Sequence, residues 1–153
     1  AEGVIVGVCC AVYTQSVLII FGMTALVVFL LSVFASTTSM DFTGLEPYLY
    51  VALLVLVAFT LLFSVVNLAT IGASPGEFES MSSAFDSVHA ALAAVSTLLF
   101  CIYLVYDTQM ILGKKGGSFE VDDYVSATLE LYLDILIIFL NLLELFGDVA
   151  GDD

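Results

Sequence analysis

Long apolar stretches, separated by short polar segments, repeat along almost the whole sequence. A helix needs about 20 mostly apolar residues to cross a bilayer. By this measure the pattern predicts four membrane-spanning helices, over residues 17–35, 47–67, 83–112 and 124–147. A fifth apolar stretch, over residues 1–12, is too short to span, and we interpret it as the end of a helix that starts upstream of Ala1.

The composition supports a membrane protein and argues against a soluble one. Of 153 residues, 61% are hydrophobic, 16 are acidic and only two, Lys114 and Lys115, are basic. Soluble domains are roughly 45–50% apolar, and nucleic-acid binding needs a basic surface that this chain lacks. We therefore expect an all-α, polytopic transmembrane helix bundle, a single domain over residues 1–153 that is incomplete at its amino end and has no nucleic-acid partner.

The last predicted helix differs from the others because polar side chains interrupt its apolar stretch. At about 100° per residue, Glu130, Asp134, Asn141 and Glu144 project within one sector of roughly 80°. A carboxylate in the middle of a membrane costs several kcal/mol unless it is paired, protonated or in contact with water. This sector must therefore face other helices, and we expect the function to depend on what Asp134 contacts there.

The third predicted helix carries a second polar line, which ends in Asp107. His89, Ser96 and Tyr103 project within about 40° of Asp107. With 1.5 Å of rise per residue, Asp107 and Asp134 lie about 9 Å and about 15 Å from the segment that joins their helices. We expect the two side chains to meet. His89 lies roughly 27 Å further along its helix, which makes it a possible secondary titrating group rather than a partner of Asp107.

Two carboxylates in a low dielectric tend to share a proton, so such a pair can act as a proton-controlled latch between helices. Oxygen ligands also favour hard cations such as Ca²⁺, which suggests a Ca²⁺ site at Asp107 and Asp134 with Glu130 as a third carboxylate. The alternative is a protonated, hydrogen-bonded seam that only holds the helices together. Further candidates for an ion pathway are the remaining polar residues of the two lines, Tyr103, Asn141 and Glu144.

Catalytic motifs are missing from the sequence. The Gly-x-Gly-Asp element of intramembrane aspartyl proteases, a Ser–His pairing and a phosphate-binding loop are all absent. Cys9, Cys10 and Cys101 lie in apolar stretches without the spacing of a metal site. We therefore expect a protein that is not an enzyme and has no cofactor, Ca²⁺ being a transported ion.

Three short segments resemble a known family. They are Met-Asp-Phe-Thr-Gly at 40–44, Val-Tyr-Asp-Thr-Gln-Met-Ile-Leu-Gly at 105–113 and Leu-Tyr-Leu-Asp-Ile at 131–135. In this order and at this separation they resemble the Bax inhibitor-1 family, also called the transmembrane Bax inhibitor motif or Lifeguard family. The Lifeguard and Golgi anti-apoptotic branches look most similar.

The resemblance implies a seven-helix fold with the last helix at its centre, of which this chain would hold the end of helix three and helices four to seven. It implies a pH-sensitive Ca²⁺ leak in which Asp107 and Asp134 form the sensing pair, with roles in calcium homeostasis and in the regulation of cell death. Glu2 falls where some members carry a glutamate in helix three, which adds it to the possible ion pathway.

Three other functions stay open on the sequence: a cation/proton exchanger, a non-conducting membrane scaffold that binds cell-death regulators and, with least support, an intramembrane enzyme. The expected partners are the lipid bilayer, Ca²⁺, protons and other membrane proteins that regulate cell death. We expect an integral, multi-pass protein, and the sequence does not distinguish the endoplasmic reticulum, the Golgi and the plasma membrane.

The orientation in the membrane rests on the two lysines. Basic residues favour the cytoplasmic side, so segment 113–123 should be cytoplasmic and segment 72–82 should face the lumen or the exterior. In a cysteine-free background, Ser118→Cys should resist an impermeant thiol reagent added to the lumenal side of sealed vesicles, whereas Ser74→Cys should react. Reaction of Ser118→Cys under these conditions would contradict the orientation.

Overall fold

The computed structural model describes residues 14–70, 75–113 and 121–150, and the side chains of 17–70, 84–113 and 123–146. This part of the chain is helical and contains no strand. Residues 1–12, with Glu2, lie outside it. Four α-helices follow one another, with a short 3₁₀ turn at Thr43–Leu45: α1 (Thr14–Thr37), α2 (Glu46–Thr70), α3 (Pro75–Ile111) and α4 (Val121–Ala150).

Three of the described helices are long and apolar enough to cross a membrane, over Val17–Thr37, Thr43–Thr70 and Ala84–Ile111. They coincide with the first three predicted spans. Helix α4 is not among them, although its 30 residues correspond to about 45 Å of helix. That α4 crosses the bilayer stays a prediction.

Proline residues mark the starts of two helices. Pro47 lies in the first turn of α2. Helix α3 begins at Pro75, eight residues before the membrane span predicted at 83–112. Proline fits the first turn of a helix, where its missing N–H has no partner to lose.

Helix α3 packs against each of the other three described helices. Helix α4 packs against α1 and α3, which also contact each other, and α2 packs against α3. The apolar core is built from Ile20 of α1, Leu104 of α3 and Ile138, Phe139, Leu142 and Leu143 of α4. The central place of the last helix, which the family resemblance implies for the seven-helix fold, stays a prediction.

The outer faces of α1 and α2 are apolar as well. Large side chains such as Leu18, Phe29, Leu62 and Val65 are more than half exposed. A soluble protein rarely exposes apolar surface so continuously, whereas in a bilayer these side chains contact lipid. The polar side chains that these helices do carry mostly bond to their own backbone, as Thr60 does to Leu56.

Gln109, on α3, holds the segment that connects α1 and α2 through hydrogen bonds. Its side chain is fully buried. Its Oε1 accepts a hydrogen bond from the backbone N–H of Phe42 at 2.8 Å, and its Nε2 donates to the carbonyl oxygens of Met40 at 3.0 Å and Ala35 at 3.3 Å. One side chain of α3 therefore satisfies three backbone groups of an irregular segment, only two residues after Asp107.

We expect Gln109→Ala to lower the free energy of unfolding by about 1–3 kcal/mol, because it leaves the partly buried N–H of Phe42 without its partner. The measurement is thermal unfolding of the purified protein in detergent. Thr128→Ala is the matched control, since it removes an exposed hydroxyl that bonds within its own helix. Equal losses of stability in the two variants would contradict this role of Gln109.

Candidate functional site

The carboxyl groups of Asp107 and Asp134 meet between α3 and α4. Each residue is only 5% exposed, and their side chains interact through a hydrogen bond. Oδ2 of Asp134 is also buried and accepts no hydrogen bond within the described residues. Because a carboxylate has no donor of its own, a hydrogen bond between two carboxyl groups requires a proton on one of them. The pairing that the sequence predicts is therefore present.

Local helix geometry explains why these two side chains are buried together. Asp107 follows the buried Leu104 and Val105 along α3, and Asp134 lies one turn before the buried Ile138 on α4. Residues three or four apart share a helix face, so each aspartate extends the apolar contact face of its own helix. The two aspartates are thus buried together with these apolar side chains.

A cavity of about 160 Å³ lies on the side of the pair where α3 ends and α4 begins. We call it the loop-end cavity. Asp107 reaches it from α3, and Asp123, Ser126 and Glu130 reach it from α4, with Tyr106, Met110 and Ala127 completing the lining. Glu130 is exposed, so it contributes its charge to the pair's surroundings without being buried beside it.

The calcium site expected from Asp107, Asp134 and Glu130 is not assembled in this conformation. Within the described residues, no three His, Cys, Asp or Glu side chains come together closely enough to hold a metal ion. The structure brings Asp107 and Asp134 together, whereas Glu130 lines the cavity beside them. Any cation bound at the pair would have to complete its coordination with water or after a movement of the helices.

A second polar cavity, of about 140 Å³, lies toward the opposite end of α4, and we call it the far-end cavity. Here Nδ2 of Asn141 donates a hydrogen bond to Oγ of Ser96 at 2.8 Å, and Nδ1 of His89 contacts Oε1 of Glu144. Helix α2 closes the third side with Thr60, Phe63 and Ser64, and Leu92 and Ala93 complete the lining.

The two cavities are separated by apolar packing. Leu104 and Ile138 are fully buried between them, and the ring of Phe100 packs on that of Tyr103 at 5.7 Å between centroids. Tyr103 is half-buried and lies within electrostatic range of both aspartates. Polar side chains therefore lie toward both ends of α4, but buried apolar side chains separate the two groups.

Sequence reasoning missed two contacts of this region. It did not assign Gln109 a role, although that residue lies within the segment that carries the family resemblance. It also did not pair His89 with Glu144. The signal for this second contact was present, because antiparallel neighbours place an early residue of α3 beside a late residue of α4, and both residues lie on the predicted polar faces.

A comparison with known families assigns the chain. The family described as "Inhibitor of apoptosis-promoting Bax1" matches residues 1–151. The chain belongs to this Bax inhibitor-1 family. Together with the three apolar helices, this membership establishes an integral, multi-pass membrane protein.

Curated relatives agree with the assignment. Human protein lifeguard 3 is 30% identical over 152 residues, which cover 97% of this chain and 44% of the relative. LIFEGUARD 1 of Arabidopsis thaliana is 29% identical over 147 residues, covering 94% of this chain and 54% of the relative. The chain thus spans about half the length of the curated relatives it matches.

The register of α3 against α4 can be tested by cross-linking. In a background without native cysteines, Ser96→Cys combined with Asn141→Cys should react with a short bifunctional thiol reagent, because the native side chains are in hydrogen-bond contact. The product is detected by the mass of the intact protein. Val95→Cys with Asn141→Cys is the control, since Val95 is more than half exposed; preferential cross-linking of this control pair would contradict the register.

Proposed function

We propose that the full-length protein is a pH-sensitive calcium leak channel in which Asp107 and Asp134 form the proton-sensitive gate. The observation that carries the proposal is the buried carboxyl pair, which lies between α3 and α4 with a polar cavity toward each end of α4. A purely structural seam between helices needs hydrogen bonds, but it does not need two acids at one point.

The free energy linked to protonation of the pair is large enough to shift the protein between two conformations. With one proton present, the two carboxyl groups form a hydrogen bond that joins α3 to α4. Without it, two negative charges about 4 Å apart repel by about 4 kcal/mol at an effective dielectric constant of 20. A few kcal/mol is the usual difference between two conformations of a protein. Loss of the proton therefore favours either separation of the helices or entry of a cation.

The surroundings of the pair favour a hard cation as the permeating ion. The loop-end cavity offers the carboxylates of Asp107, Asp123 and Glu130, and the far-end cavity offers Glu144 and Asn141. Carboxylate and amide oxygens are the ligands that Ca²⁺ prefers. Because Leu104 and Ile138 close the path between the cavities, the described conformation corresponds to a closed channel.

The family supports a role in cell death, which we propose alongside calcium homeostasis. The matching family is described as an inhibitor of apoptosis-promoting Bax1. A cation/proton exchanger would use the same pair but would move protons in fixed proportion to cations. A non-conducting scaffold for cell-death regulators would have no use for the two polar cavities.

We expect Asp134→Asn to flatten the pH response of calcium flux. The amide keeps the size and the hydrogen bonding of the side chain but removes its titratable proton. Flux from liposomes that contain the full-length variant should change by less than about twofold across a pH series, because the coupled titration needs both carboxyl groups. The pH is varied on the side of the loop-end cavity, where α3 ends and α4 begins, and is held constant on the other side.

Asp86→Asn is the matched control for this experiment. It also removes one acid from α3, but Asp86 is exposed and lies far from the pair along the helix, so the wild-type pH response should remain. An unchanged pH profile in Asp134→Asn, in protein that inserts and elutes as wild type does, would rule out the pair as the sensor.

A further inference from the structure

Tyr106 connects helix α2 to the loop-end cavity. It lines this cavity next to Asp107, and its side chain forms a hydrogen bond with the side chain of Glu46, the first residue of α2. We propose that this hydrogen bond holds the ring of Tyr106 as a movable wall of the loop-end cavity, and that its opening admits water and cations to Asp107. The inference rests on the proposed calcium conduction, to which it adds the residues that regulate entry to the path.

The hydrogen bond has a defined direction. A carboxylate only accepts hydrogen bonds, whereas the hydroxyl group of tyrosine can donate one, so Tyr106 donates to Glu46. Glu46 lies in the first turn of α2, where the unpaired backbone N–H groups and the helix dipole favour a negative charge. A hydrogen bond to an ionised acceptor is stronger than one between neutral groups. The start of α2 therefore presents a suitable acceptor to Tyr106.

The same turn of α3 carries the contact with α2 and the carboxyl pair. Tyr106 and Gln109 are three residues apart and so share one face of α3. Gln109 binds the backbone of the segment that precedes α2, and Tyr106 binds Glu46. Asp107 lies between them in the sequence and meets Asp134 on α4 instead. A movement of the start of α2 therefore reaches the surroundings of Asp107 through a single adjacent side chain.

The two contacts on this face differ in exposure. The side chain of Gln109 is fully buried, whereas Tyr106 is partly buried and Glu46 is exposed. Water can replace the partner of an exposed group at little cost, but it cannot reach a buried one. The hydrogen bond of Tyr106 can therefore open while Gln109 still holds the connecting segment in place.

The charges around the cavity determine which ions enter when the wall moves. Among the described side chains, the charged groups near Tyr106 are all acids: Glu46 on α2, Asp107 on α3, and Asp123 and Glu130 on α4. A cleft lined by one sign of charge concentrates ions of the opposite sign. An open cavity should therefore admit cations in preference to anions.

Access to the cavity can be measured without measuring flux. Ala127 lines the cavity and is buried, so Ala127→Cys places a thiol on its wall, in full-length protein that lacks the native cysteines and is held in nanodiscs. When opening is faster than the reaction, the rate with a cationic methanethiosulfonate follows the fraction of time that the cavity is open. An anionic reagent of similar size should react more slowly, and equal or faster reaction would contradict the preference for cations.

Removal of the hydroxyl group should increase this rate. Tyr106→Phe keeps the ring, and we expect it to react about threefold to tenfold faster than the Ala127→Cys parent, as suits the loss of one hydrogen bond. Tyr132→Phe is the matched control, since it removes an exposed hydroxyl group of α4 that does not line the cavity. Met110→Cys, on the opposite wall, replaces Ala127→Cys as the probe if that variant fails to fold.

Variants of Glu46 test whether the hydroxyl acts through this partner. Glu46→Ala should react as fast as Tyr106→Phe, whereas Glu46→Gln keeps an oxygen that accepts the hydrogen bond and should retain most of the protection. Combining Tyr106→Phe with Glu46→Ala should add nothing, because both remove the same interaction. Parental rates in folded Tyr106→Phe, equal rates in Glu46→Gln and Glu46→Ala, or multiplied effects in the combined variant would overturn the inference.

A flux measurement separates this inference from the proposed function. Calcium flux from liposomes that contain full-length Tyr106→Phe should exceed that of the wild type. Calcium flux in the wild type, with unchanged labelling in Tyr106→Phe, would refute the movable wall while leaving the channel. Faster labelling in Tyr106→Phe, without flux in any variant, would refute the channel while leaving the wall.

Discussion

The cost of placing a carboxyl group in apolar surroundings determines the arrangement of this protein. Asp134 stands in the middle of a helix whose other faces are Leu, Ile and Phe, and lipid cannot solvate it. The helix is therefore enclosed by its neighbours, and a second acid, Asp107, meets the first on the adjacent helix. Burial of the two acids in turn requires a shared proton, so this contact between α3 and α4 is the basis of the proposed response to pH.

Periodicity was enough to predict the helices and the pairing of Asp107 with Asp134, because both follow from side-chain spacing and matched depth. The hydrogen bonds of the Gln109 side chain could not be predicted, since its partners are backbone groups of the irregular segment around Met40 and Phe42. Side-chain patterns do not encode the positions of such groups.

The contact between His89 and Glu144 was missed for another reason. Counted by helical rise from the segment that joins α3 and α4, His89 lies at about 36 Å and Glu144 at about 30 Å. Antiparallel neighbours place two such residues at similar depth, so the contact could have been predicted from the sequence had the two polar faces been compared over their whole length.

A polar cavity lies toward each end of α4, and packed apolar side chains separate the two. The account depends most on whether the carboxyl pair controls the passage of an ion. The most direct measurement is calcium flux from liposomes that contain the full-length wild-type protein, across a pH series and against protein-free liposomes. The account predicts calcium release above the protein-free level that changes with pH. Release no greater than from protein-free liposomes at every pH would contradict it.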